Sequence, residues 1–175
     1  AIGFGVGIAL AQSNLGRLAT RTGSFDAAVP LLTDAIERFD ALGMPAMVGD
    51  ARLRLIENSL LSGDGIDDDW WPSDADLEDD VVTQIYAERM RAVAAHVDAR
   101  AEDADRWSAA AVERARAAGV PFDLALALRV RQMIAGDVDT AEIDAIHTQL
   151  GIVNAPGVTP APPGARPVGI TEQAS

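Results

Sequence analysis

Three groups of side chains in this chain could do chemistry. The first is a row of arginines, Arg17, Arg21 and Arg89, which with Ser13, Glu57, Tyr86 and His96 fall on outward positions of alternate predicted helices. Guanidinium groups hold carboxylates through paired N–H···O bonds, so the row predicts a clamp for a carboxylate-bearing peptide. The competing reading ties each arginine to a neighbouring acid. The second group is the stretch 64–80, with nine acidic residues in 17 around Trp70 and Trp71. Hard cations take clustered carboxylates, but Asp64-Gly65-Ile66-Asp67-Asp68-Asp69 lacks the alternating ligands, central Gly and distal Glu of a calcium loop. Trp70 and Trp71 are candidate anchors for a partner with the acids as rim; the alternative has them cap the core between helix pairs while the acids stay solvated. The third group is His96 and His147, on different predicted helices with no motif around either, and both read as surface or half-buried residues. No residue is assigned a catalytic role, and no metal or cofactor is expected.

Composition removes further chemistries. There is no cysteine, hence no disulfide, thiolate metal site or Cys nucleophile. All 14 basic residues are arginine, which excludes a phosphate-loop lysine and a Schiff-base lysine. Gly3-Phe4-Gly5-Val6-Gly7 has neither the preceding strand nor the spacing of a phosphate-binding loop. Acids are so abundant that two lying close together would not single out a glycosidase-like pair. A net charge of -13 repels nucleic acid and anionic membranes, and it keeps the chain soluble. No apolar run approaches the roughly 20 residues that cross a bilayer. The opening Ala-Ile-Gly-Phe-Gly-Val-Gly-Ile-Ala-Leu-Ala lacks a Met and a basic flank and runs straight into a helix pattern. It reads as an internal cut in a longer, cytoplasmic protein.

The elements that must position these groups are helices. Residues 15–43 read as two amphipathic helices folded back at Gly23 and Ser24, the second with Ala28, Leu31, Leu32, Ala35, Ile36 and Phe39 on one face. Leu15 and Leu18 of the first stand beside small Gly16 and Ala19, which let a neighbour approach. Helices are expected from about Gly5 to Thr22, Phe25 to Leu42 with Pro30 in or just past the first turn, and Pro45 to Leu61, with Gly43 and Gly63 as stops. The acidic stretch reads as a loop or one irregular turn to Ser73. From a Ser73/Asp76 cap a single long helix is expected to about Ala101, with Asp76, Glu78, Asp79 and Asp80 in its first turns. Helices over 104–118, 121–134 and 140–150 follow. In the second of these three, Gly136 is the stop; in the first, Trp107 replaces Leu31 as a larger anchor. Residues 154–175 hold five of the nine prolines and read as a disordered tail.

Self-similarity supports a stack. Ala-Ile-Glu-Arg-Phe-Asp-Ala-Leu-Gly-Met-Pro at 35–45 recurs at 111–121 with six of eleven residues identical, an offset of two units of about 38. A second register aligns 50–64 with 123–137 at an offset of 73, three less than the first, through a shortening after the Gly-x-Pro junction. Leu15-Gly16, Ala28, Leu32 and Ala35 fall on the spacing of the tetratricopeptide signature, although Gln12, Ala19 and Asp40 stand where that signature has Trp, Tyr and Pro. The chain over about 8–153 therefore resembles a tetratricopeptide repeat region. The resemblance implies an all-α, right-handed α-α superhelix of about seven helices, with domain limits 1–153, an acidic insertion at 64–80 and the tail at 154–175. The Phe-Asp-Ala-Leu-Gly endings, Phe122-Asp-Leu-Ala-Leu-Ala-Leu-Arg and the close Gln149-Leu150-Gly151-Ile152-Val153 resemble the C-terminal tails of multidomain bacterial class III adenylate/guanylate cyclases that carry an ATPase domain. That resemblance implies a non-catalytic interaction or regulatory module for a protein partner or another domain of the same chain. The alternatives are the effector-sensing tail of an ATPase-type transcription regulator, and a small acidic metal-binding or enzymatic domain centred on 64–80.

Overall fold

The computed structural model describes residues 2–77, 80–136, 140–153 and 159–160. Among them the chain is all-helical, without strands. Seven helices of 11 to 20 residues are α1 (Ile2–Arg21), α2 (Phe25–Ala41), α3 (Pro45–Ser62), α5 (Val81–Val97), α6 (Ala101–Ala118), α7 (Pro121–Ala135) and α8 (Thr140–Leu150). Between α3 and α5 lie a single 3-10 turn, Asp68–Trp70, and the one-turn α4 (Asp74–Leu77). Each long helix packs on the next in sequence except across this interruption, where α3 meets α5 directly. Helices α1, α3, α5 and α7 form a row, each touching the next, while α2, α6 and α8 lie against its members.

Local sequence explains most boundaries. Gly63, Gly119 and Gly136 sit past helix ends at positive φ, which lets the backbone curl back to satisfy terminal carbonyls. Ala99 does the same after α5 at φ 58°, with the Arg100 N–H donating to the Ala95 carbonyl at 2.8 Å. The α1/α2 crossing depends on Gly16: a Cβ there would lie 2.6 Å from Leu32 Cγ. Behind it, the Thr20 hydroxyl donates to Asn58 Oδ1 at 2.9 Å, and Asn58 donates to the Phe25 carbonyl at 3.4 Å, tying α1, α2 and α3 in the core.

Several expectations are corrected. The inward face of α1 is made of small side chains, Ala9, Ser13, Gly16 and Thr20, whereas Leu15 and Leu18 are 53% and 58% exposed. A neighbouring helix approaches closely only where side chains are small, so the leucines are displaced outward. Pro30, by contrast, lies just past the first turn of α2 as expected, on an exposed face where water can take the carbonyl it leaves unbonded. The single long helix from Ser73 is two helices. Ser73 and Asp76 do cap each other, through Ser73 N–H to Asp76 at 3.0 Å and the hydroxyl at 2.7 Å, but they open only α4. Asp80 then caps α5, accepting from the Val82 N–H at 3.0 Å and the Thr83 hydroxyl at 2.6 Å. A second strong cap within the same acidic run ends one helix and starts another. Glu78, Asp79, Asp137 and most of the 154–175 tail lie outside the described residues.

The interruption is covered by tryptophan. Trp70 packs against the central core, which includes Leu53, Ile56, Met90 and Val93, and against the core of Ala28, Leu32 and Leu55. Trp71 and Trp107 join the central core, and Asp64, Asp67, Asp68 and Asp69 are exposed. No helix among the described residues is long and apolar enough to cross a membrane.

Candidate functional site

Helical spacing brings charged side chains from the whole row to one place. Arg17 and Arg21 are one turn apart on α1, as are Asp50 and Arg54 on α3; Tyr86 and Arg89 share a face of α5. These residues, with Asp80, Thr83 and the first turn of α7, line a cavity of about 200 Å³ walled on its apolar side by Val82, Phe122 and Leu126.

Some of the charges are already engaged. Arg54 pairs with Asp50 at 2.8 Å and donates to Asn14 Oδ1 at 3.0 Å. The Tyr86 hydroxyl donates to Glu57 Oε2 at 2.6 Å, and burial together with the Glu57 charge pushes that hydroxyl well above its ordinary value. Tyr86 is thereby kept a neutral donor. Asp80 is occupied as a helix cap. Arg89, only 4% exposed, lies over the Tyr86 ring at 5.1 Å, and its Nε is buried with no acceptor. Among the described residues Arg17 and Arg21 make no hydrogen bond or ion pair. Partial desolvation, then the Arg17 charge, lowers Arg21 from its ordinary value. Burial raises Asp123 although Arg89 and Arg17 draw it down, and burial raises Asp50 against the pull of Arg54 and Arg17. The pocket thus holds guanidinium groups and a carboxylate in one small space without joining them.

Of the residues expected on the outward face, Arg17, Arg21, Tyr86 and Arg89 meet here, with Glu57 bonded behind Tyr86. Ser13 is 2% exposed, turned into the packing of α1, its hydroxyl unpartnered. His96 is exposed two turns further along α5 and does not line the cavity. Asp50, Arg54, Asp123 and Phe122 were not anticipated. A signal for two of them existed: the second repeat register aligns Asp50 with Asp123, equivalent residues of α3 and α7 that enter the same pocket.

A larger recess of about 510 Å³ lies between the end of α3, the acidic loop, α5 and α6. Trp71 and Trp107 line it, with Arg91 held over both rings at 6.0 and 5.0 Å. Among the described residues no three acidic or histidine side chains are grouped to hold a metal ion. No protein-family model matches the chain, and no curated protein or solved structure matches it significantly.

Proposed function

We propose that this chain is a non-catalytic interaction and regulatory module of the tetratricopeptide-like kind, the C-terminal part of a multidomain signalling protein resembling the bacterial adenylate/guanylate cyclases. A protein partner, or another domain of the same chain, docks on the face of the row α1, α3, α5 and α7 and biases an upstream activity. The observation that carries this reading is the convergence of charged side chains from four helices of one row on a single pocket. Stacked helical pairs present such surfaces because neighbouring pairs share one core and leave a continuous face to solvent.

The test is cross-linking of the native, full-length protein in its source cell, followed by mass spectrometry. Cross-links from Asp50, Asp80 or Asp123 to a partner or an upstream domain are expected, and Arg17→Ala/Arg21→Ala should reduce them. Cross-links confined to the outer helices α2, α6 and α8 would refute the docking face.

A further inference from the structure

We propose that the pocket between α1, α3, α5 and α7 is a site for a small zwitterion, a free α-amino acid with an apolar side chain. This goes beyond the docking reading: a partner covers the face, whereas the amino acid occupies the cavity within it.

The first argument is charge. Arg17, Arg21 and Arg89 face the cavity without a carboxylate partner, and Arg89 is nearly buried with an orphaned Nε. Asp123 faces the same cavity, and it has no ion pair among the described residues. Holding the buried Arg89 and the half-buried Asp123 unpaired is unfavourable unless something bridges them. Arg17 and Arg89 are near enough to Asp123 to draw on its charge, yet neither closes on it. A simple anion would satisfy the arginines and add repulsion at Asp123; a simple cation would do the reverse. An α-amino acid carries a carboxylate and an ammonium on one α-carbon and meets both needs.

The second argument is size and lining. About 200 Å³ is below the roughly 300–1,000 Å³ of drug-sized sites, and at about 30 Å³ per water it corresponds to roughly seven waters. That excludes a nucleotide and suits a molecule of about ten non-hydrogen atoms. Val82, Phe122 and Leu126 supply an apolar wall beside the charges, the place for an aliphatic or aromatic side chain.

The experiment uses the purified full chain and titration calorimetry with valine, leucine, isoleucine and phenylalanine. For leucine, the one-charge analogues are 4-methylpentanoate and 3-methylbutylamine; the other members have corresponding analogues. At least one amino acid is expected to bind, and loss of either charge should weaken binding roughly tenfold or more, the usual range for a hydrogen bond to a charged group. Asp123→Asn should lower amino-acid affinity and raise that of the carboxylate analogue, whose repulsion at Asp123 is gone, so that the two converge. Arg21→Gln, at an exposed position that does not hold the core, should weaken both. No binding by any of the four at millimolar concentration overturns the proposal. So does equal binding of an amino acid and its carboxylate analogue, which would make the pocket a plain anion site. Neither result bears on the docking face, because the titration contains no partner.

Discussion

At the scale of single residues, the smallest side chain carries one of the largest constraints. Gly16 lets α1 approach α2 so closely that a methyl group would overlap Leu32, a residue with no exposed surface of its own. Gly16→Ala should therefore destabilise the chain by about 1–3 kcal/mol, the usual range for overpacking, in a urea titration. Any gain in helix propensity from alanine is smaller than that. Asp123 is constrained in the opposite sense, because burial raises it. Its proton is held more tightly in the folded chain than in the unfolded one, so its contribution to stability is best in acid and is lost as pH rises through the raised folded value. Asp123→Asn removes that penalty. The variant should melt above the wild type at pH 7, and the difference should close as the pH falls below the ordinary value of 3.8. A variant that melted below the wild type at pH 7 would mean that the carboxylate is stabilised by its arginine neighbours rather than strained by burial.

At the scale of elements, caps decide where helices begin and end. The acidic run carries two, and Asp80 splits what periodicity alone reads as one long helix. Asp80→Ala leaves the first amides of α5 without their acceptor and should cost about 1 kcal/mol in thermal unfolding. The other end of α5 is closed by Ala99 at φ 58°, where the other positive-φ positions among the described residues are all glycine. Left-handed backbone costs a residue with a Cβ about 1–2 kcal/mol, and glycine gives back part of that in unfolded-state entropy. Ala99→Gly should thus raise stability by about 0.5–1 kcal/mol, measurable as a shift in denaturation midpoint at constant slope. A loss of stability would show that the side chain of Ala99 contributes packing that its exposed position does not suggest.

At the scale of the whole molecule, the question is how two helical halves stay together where the outer layer is interrupted. Trp70 does much of this, since it packs against both the central core and the α1–α3 side. Trp70→Ala should cost about 3 kcal/mol, near the low end for an aromatic truncation because the ring is only partly buried. Its effect should differ by region: hydrogen exchange should quicken in α2 and α3 and change least in α8, which packs within a separate core. Uniform acceleration would indicate that the chain unfolds as one cooperative unit and that Trp70 is not a local joint.

How much of this was legible beforehand follows from the range of the forces involved. Helix stops at Gly43, Gly63 and Gly136, the limits Thr140 and Leu150 of α8, and the apolar stripe Ala28, Leu32, Ala35 and Phe39 were readable because capping and periodicity act within one or two turns. The all-helical class followed from the same local signals. The special role of Gly16 was readable too, as a small residue in a hairpin that must close. What periodicity misread was α1, where Leu15 and Leu18 look like core and are exposed: hydrophobicity ranks residues, but only the neighbour's distance decides whether a large or a small one fits. The break before α5 was missed because the acidic run carries two caps and both form, so periodicity alone runs past the second. The pocket divides the same way. Arg17, Arg21, Tyr86 and Arg89 could be placed on one face from helical spacing. Meeting Asp50, Asp123 and Phe122 around one cavity, with Arg89 buried and unmatched, required α1, α3, α5 and α7 to stand in a row, and that arrangement rests on contacts between residues more than thirty positions apart.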